Sequence, residues 1–514
     1  MSRREGSASG DPLSELERLR RATSDEARAA AVARRHAAGG RTARENVAAL
    51  VDPGTFVEYG RLAVAAQRSR RTLDELYERT PADGLVAGIA TVNGRLFGER
   101  ARCVVMAYDY TVLAGTQGAI GHRKKDRMFE LVERARLPVV FFVEGGGGRP
   151  GDTDFPVASA LDVRAFALWA RLAGHVPRIA VVNGYCFAGN AVLAGCADLV
   201  VATERSWLGM GGPAMIEAGG LGQVSANEIG PAAEQAANGV VDIVVQDEEE
   251  AARVVRTVLS YFQGDLDGGE AEAQEQLRTA IPTSSRRAFD IRRVVDTVFD
   301  RGSVTYLGER YAPELVTALA RLEGRAVAVI ANNSIHKAGV ITSEAAAKAA
   351  RFLGLCADFE LPVVSFVDTP GFMVGPEHER TGLVRHAGDF LRAGARLRAP
   401  LLAVVVRRGF GLGAQAMVGG SLREPHLAVA WAGAQLGPMN LEGAVRLALR
   451  RELERVADEA ERERIVRDAT RLAEEQGSAL NAARLFELDD VIDPVETRSC
   501  LARALATYGA SGSV

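Results

Sequence analysis

Apolar residues recur at helical spacing over 13–38, an Arg/Ala/Glu-rich stretch ended by Gly39-Gly40, and this predicts a helix. Thr42, with Glu45 three residues on, predicts the cap of a second, short helix. Then the period changes. Short β-branched runs at 84–92, 101–106 and 139–143, bounded by Gly, Asn or polar residues, predict strands, and helical patterns at 126–135 and 158–173 alternate with them. From about Ala288 the plan resumes: strand at 324–331, helix at 342–359, strand at 361–367, helix at 382–395, strand at 401–406. Such alternation predicts an α/β fold. The charged stretch 440–475 has apolar residues at helical spacing and predicts a solvated pair of amphipathic helices packed on the core.

The resumption is an internal repeat. Leu137-Pro138-Val139-Val140 returns as Leu361-Pro362-Val363-Val364, a spacing of 224, and the same spacing relates Ala188-Gly189 to Leu412-Gly413. Leu208-Gly209 returns as Leu436-Gly437, a spacing of 228. At 514 residues the chain is too long for one core, so two domains are expected at 13–265 and 287–507. An acidic, Gly-rich stretch places the linker at 266–286, and the polar residues 1–12 are expected to be disordered.

Both copies run from an apolar strand through a glycine turn into an apolar helix, at 191–197 and 415–418. The first N–H groups of such helices have no intrahelical partner, so each turn can hold a developing oxyanion. Two turns suit a reaction with two carbonyl-like oxygens to polarise.

Other chemistries are not supported. No lysine follows Gly and precedes Ser or Thr, so the Gly-rich run 145–148 is not a Walker-type phosphate loop and reads as a strand-to-helix connection. There is no Gly-x-Ser-x-Gly elbow. Cys186 has no local His or acid partner and reads as a small buried apolar residue. The seven histidines lack metal-ligand spacing, so no metal is expected, and His336 and His386 read as structural or loop-orienting. His122-Arg123-Lys124-Lys125 could meet a phosphorylated ligand or be a solvated charge run. A net charge of −4 gives no reason to expect nucleic acid, and no stretch approaches the length of a membrane span. Five scattered cysteines, without Cys-x-x-Cys spacing, fit a reducing, cytoplasmic location.

The same residues carry a family resemblance. Thr42-Ala43-Arg44-Glu45, Asp83-Gly84, the two turns, Asp368-Thr369-Pro370-Gly371-Phe372, Arg385-His386-Ala387-Gly388 and Asp489-Asp490-Val491-Ile492-Asp493-Pro494 resemble the carboxyltransferase (β) subunit of biotin-dependent acyl-CoA carboxylases. The group includes propionyl-CoA and methylcrotonyl-CoA carboxylases, and the resemblance extends over almost the whole chain.

It implies two tandem crotonase-like (ClpP/crotonase) domains and transfer of a carboxyl group from carboxybiotin to an acyl-CoA through an enolate. It assigns the amides of Ala188 and Gly189 to the thioester and those of Leu412 and Gly413 to the biotin ureido oxygen. Substrate contacts are expected at Gly147, Gly148, Gly184, Phe187, Gly211, Gly212, Gln415, Lys124 and Lys125. The freed ureido nitrogen acts as the base, which accounts for the missing acid, base and metal. None of the four lysines lies beside a Met, as a biotinylated lysine of this class does, and no ATP-binding module is apparent. A separate biotin carboxylase and biotin carboxyl carrier subunit are therefore expected, with a homo-hexamer whose sites lie between unlike domains of two subunits. The run Gly148-Arg149-Pro150-Gly151-Asp152 departs from the family's Arg-Ile-Gln-Glu and changes the acyl pocket. The alternatives are a biotin-dependent acyl-CoA decarboxylase or transcarboxylase, and a non-catalytic assembly subunit. A crotonase-type hydratase would need two acidic residues beside Ala188-Gly189, and none is there.

Overall fold

Apolar β-branched runs too short for helices pair side by side into one sheet in each half of the chain. The computed structural model describes residues 11–149, 151–155, 159, 161–282, 284 and 287–508, and the chain divides into two units, Met1–Gln263 and Gly264–Val514. Of the expected disordered start, residues 1–10 lie outside the described residues. Asp11 is a helix cap, its carboxylate accepting from the amides of Leu13 and Ser14.

The first unit opens with α1 (Pro12–Ala22), α2 (Ala29–Ala37) and α3 (Ala43–Leu50). The single helix expected over 13–38 is therefore broken: the Thr23 hydroxyl and amide turn back onto Arg20 O and close α1. Thr42 and Glu45 form the expected reciprocal cap of α3. The sheet runs β1 (Val57–Glu58), β2 (Leu85–Thr91), β3 (Arg102–Tyr108), β4 (Val139–Phe142), β5 (Arg178–Val182), β7 (Leu199–Thr203) and β9 (Ile243–Val245), antiparallel up to β3 and parallel beyond it. A separate pair, β6 (Tyr185–Phe187) and β8 (Trp207–Gly209), carries the first turn. Among its further helices are α4 (Ala119–Ala135), α5 (Ala165–Arg171), α6 (Gly189–Gly195) and α7 (Glu248–Gln263).

Helix α4 begins seven residues before the expected Asp126. Its start is capped from afar, Ala119 N–H donating to Asp152 (2.8 Å) and Gly121 N–H to Asp83 (2.6 Å), and no local signal encodes that. The helix expected over 158–173 is the shorter α5; Ala158 itself lies outside the described residues. The core packs Met106, Phe129, Phe141 and Trp169 between sheet and helices.

The second unit repeats the plan with β10 (Thr305–Leu307), β11 (Leu315–Leu322), β12 (Arg325–Asn332), α8 (Ser343–Asp358), β13 (Val363–Thr369), α9 (Leu383–Ala395), β14 (Leu401–Phe410), α10 (Gly411–Met417), β15 (Leu427–Trp431), β16 (Gln435–Gly437), α11 (Leu441–Ala448), α12 (Glu459–Gln476) and β17 (Asp490–Ile492). Its sheet order is β10-β11-β12-β13-β14-β15-β17, with β16 on the end of β14. The stretch expected as a linker contributes Leu277 to this unit's core.

Candidate active site

The two turns are built alike, with a register one residue different from the sequence match. Phe187 ends β6 paired with Gly209, and Phe410 ends β14 paired with Gly437. The residue after each has positive φ: Ala188 at 52° and Gly411 at 61°. Gly189 therefore corresponds to Leu412 and Asn190 to Gly413, a spacing of 223 where the Ala-Gly/Leu-Gly likeness indicated 224. The missing residue lies upstream, since Gly145 pairs with Cys186 and Thr369 with Gly409.

This register corrects one expected donor. Ala188 N–H donates to Gly209 O at 3.0 Å and is not free for a ligand. Gly189 is the first residue of α6, and its N–H has no acceptor among the described residues. Leu412 and Gly413 are the second and third residues of α10, where helix geometry also leaves amides without an intrahelical partner.

A second strip of backbone lies against each helix start. Residues 147–149 bridge to Gln117 and residues 371–373 to Ile341, through Gln117 N–H to Gly147 O (2.7 Å), Arg149 N–H to Gln117 O (2.9 Å), and the matching bonds of Ile341 with Gly371 (3.0 Å) and Met373 (2.9 Å). Alternate amides of an extended strip point to opposite sides. The amides of Gly148 and Phe372 thus face away from these partners and have no acceptor among the described residues. A methyl on Gly413 would lie 2.7 Å from Gly371 Cα and 2.9 Å from Phe372 N, so this glycine admits the strip rather than only lending a donor.

The other expected contacts separate into groups. Phe187 is buried, and a side chain on Gly212 would meet its ring at 3.2 Å; Gly211 lies over Met215. Gly147 lies against Ala188 and Phe187 O, so Gly147, Gly148, Phe187, Gly211 and Gly212 gather at the first turn. Gln415 is exposed on α10 and Leu412 beside it is 65% exposed.

Gly184 has a different task, because any side chain there would overlap the Glu144 carboxylate. Glu144 is buried and paired with Arg35 (2.6 Å); burial pushes its carboxyl up to about 7. Gly184 also borders a cleft of about 410 Å³ lined by Arg35, Tyr110, Arg205 and Trp207. Asp368 stands at the matching place in the second unit, gripped by Arg407 and Arg408 at 2.7 Å each.

Lys124 and Lys125 are not an anion site. They share the buried face of α4 with Gly121 and Met128. Lys124 Nζ donates to Ala82 O (3.0 Å) and to Leu85 O, as Lys348, 224 residues on, donates to Gly308, Tyr311 and Leu315 carbonyls. Lys125 Nζ donates to Gln117 Oε1 and lies over the Tyr108 and Phe166 rings. Burial lowers Lys124 to about 8 and Lys125 to about 7.

Gln117 and Asn190 escaped the sequence reading. Gln117 Nε2 donates to Asn190 Oδ1 (3.0 Å), which also accepts Gly147 N–H (3.1 Å). Arg149 in the divergent loop is buried on Asp83 (2.6 Å) and Asp152 (3.3 Å). Cys186 is buried with its thiol on Val143 O (3.3 Å), and burial raises its pKa, so it is no nucleophile. Among the described residues no cluster of His, Cys, Asp or Glu could hold a metal ion, and no helix is long and apolar enough to cross a membrane.

Residues 34–511 match the carboxyl transferase domain family. The biotin-dependent long chain acyl-coenzyme A carboxylase beta4 subunit of Mycobacterium tuberculosis is 33% identical over 495 residues, 92% of this chain and 90% of that protein. A solved single-chain, multi-domain long-chain acyl-CoA carboxylase matches with a TM-score of 0.91 at 51% identity over 97% of this chain, which spans 49% of that longer polypeptide. The transcarboxylase 12S structure, a hexamer with methylmalonyl-CoA bound, matches with a TM-score of 0.85 at 27% identity over 99% of this chain and 98% of that one.

Proposed function

The chain belongs to the carboxyl transferase family of biotin-dependent acyl-CoA carboxylating enzymes, and from that premise we propose that its first turn takes the acyl-CoA thioester and its second the biotin ureido group, each through a pair of backbone amides. The reading is carried by an arrangement present at both turns: a helix start, at Gly189 and at Leu412, and against it a strip bridged to Gln117 or Ile341 in which the amide of Gly148 or Phe372 has no acceptor among the described residues. Two donors aimed at one point stabilise charge as it develops on a carbonyl oxygen, and being part of the backbone they need no reorganisation.

At the first turn, Gly189 and Gly148 N–H hold the thioester oxygen while the α-carbon becomes an enolate. Nothing lies within 4 Å of where a Gly148 side chain would start, which leaves room for the thioester beside that amide, whereas Gly189 makes room for Gln117 and Phe166. At the second turn the donors are neutral amides, and exposed Leu412 offers an apolar surface beside them, which fits an uncharged ureido ring. When bound, carboxybiotin supplies the carboxyl group and the base for the α-proton. The residues of this chain supply position and dipoles.

We read the two units as crotonase-like domains and the substrate as a long-chain acyl-CoA; the likeness to two long-chain acyl-CoA carboxylases, at 51% and 33% identity, supports that substrate class. Biotin charging and carrying come from outside this sequence, in the cytoplasm, and assembly follows the hexamer of the transcarboxylase relative. That relative also favours a second reading, transfer between two acyl-CoA pools, which uses the same two turns.

The test is reverse transfer: the full chain is given 2-carboxypalmitoyl-CoA labelled in the carboxyl group, with free biotin as acceptor. Labelled carboxybiotin is expected, with a higher kcat/KM than from malonyl-CoA. No transfer from any carboxylated acyl-CoA, short or long, overturns the function, and a preference for malonyl-CoA overturns the chain length.

A further inference from the structure

The first unit contains a buried polar chain that has no counterpart among the described residues of the second. Lys125 Nζ donates to Gln117 Oε1; Gln117 Nε2 donates to Asn190 Oδ1 at 3.0 Å; the same oxygen accepts Gly147 N–H at 3.1 Å. Asn190 Nδ2 meanwhile reaches Gly115 O and Glu144 O, both at 3.4 Å. All three side chains are buried, and Lys125 forms no ion pair among the described residues. Gln117 is the hub. Its backbone grips both sides of Gly148, and its side-chain amide lies 3.0 Å from where a Gly189 side chain would begin.

In the second unit the corresponding residues are Ala349, Ile341 and Gly413, yet Ile341 makes the same backbone bridge to 371–373. The fold therefore builds the strip without any of the three polar groups. Burying an amine with no counter-ion is unfavourable, so a lysine here needs a reason beyond packing. Lys124 has no such asymmetry, because Lys348 repeats its carbonyl contacts.

We propose that Lys125, acting through Gln117 and Asn190, is a positioning residue that fixes the Gly147–Gly148 peptide and the Gly189 helix start as one rigid donor pair for the acyl-CoA thioester. The inference rests on the reading of the first turn given above. An amine donates to Gln117 Oε1 with or without its extra proton, so the relay does not depend on the charge state of Lys125. Its effect belongs to the acyl-CoA half of the reaction, and the biotin turn has no counterpart.

Two substitutions in the full chain test this. Lys125→Met keeps the apolar bulk and removes the donor. Gln117→Glu keeps the contact with Lys125 but leaves no N–H for Asn190. In both, kcat for transfer from 2-carboxypalmitoyl-CoA to free biotin should fall about 10-fold or more, with KM for biotin unchanged, because a loosened oxyanion donor acts on the transition state. The carbonyl stretch of bound palmitoyl-CoA, ¹³C-labelled at the thioester, should move back toward its solution frequency. Wild-type kcat and wild-type carbonyl frequency in a folded Gln117→Glu protein overturn the relay, also where Lys125→Met does not fold. A wild-type chain that transfers no carboxyl group overturns instead the reading of the turn itself.

Discussion

Asn190 and Gly413 stand at the same place in the two repeats, three residues after the phenylalanine that ends the strand, and they fill it in opposite ways. Asn190 accepts Gly147 N–H at 3.1 Å and ties the strip to the helix through its side chain. Gly413 leaves the place empty, and the Gly371–Phe372 backbone moves in until a methyl would lie 2.7 Å from Gly371 Cα. The first turn is braced by polar side chains, the second by contact between two backbones.

Gly413→Ala is therefore expected to push the 371–372 strip away from α10 and misplace Phe372 N–H. Turnover should fall about 10²–10³-fold, the effect of losing one oxyanion donor, with the thioester carbonyl frequency unchanged. Gly354→Ala is the control: it lies inside α8 with open space at its Cα, and gains about 0.5–1 kcal/mol of stability. Steady-state kinetics of the reverse transfer distinguish the two.

Gly184→Ala is expected to destabilise without touching either donor pair. The new methyl overlaps the Glu144 carboxylate and breaks its pairing with Arg35. Removing one side of a buried ion pair costs about 3–5 kcal/mol. A urea midpoint equal to wild type would contradict this placement of Glu144.

The buried lysines give a pH signature. Both have folded-state values below the ordinary 10.5, Lys125 at about 7 and Lys124 at about 8. Above these values the unfolded chain binds more protons than the folded one, so both make stability rise with pH up to about 10.5. Below pH 7 both states are protonated and the contribution is flat. Lys125→Met should therefore rise less steeply between pH 7 and 10, by up to about 1.4 kcal/mol per pH unit. Urea midpoints across this range check it; parallel curves for variant and wild type would contradict it.

Much of this architecture is legible in the sequence because it rests on local pattern. Val139–Phe142 and Val363–Thr369 read as strands from their β-branched runs, and their likeness exposes the repeat. The start of α4 is hidden because its caps, Asp152 and Asp83, come from distant loops. The turn register fails by one residue because the Ala-Gly and Leu-Gly pairs look alike, whereas the strand ends at Phe187 and Phe410 set the true alignment. The lysines read as a ligand contact or a solvated run because four polar residues stand together. Their helical spacing with Gly121 and Met128, and the match of Lys124 to Lys348, were the available signals of burial. Gln117 and Asn190 carry no signal at all, since a relay between residues so far apart in sequence exists only after folding.

The most direct test of the two-turn account is a structure of the full chain with palmitoyl-CoA bound. The account predicts the thioester oxygen at about 2.7–3.1 Å from both Gly189 N and Gly148 N, with Ala188 N–H still on Gly209 O. A thioester oxygen bound at Leu412 and Phe372, or away from both turns, would contradict it.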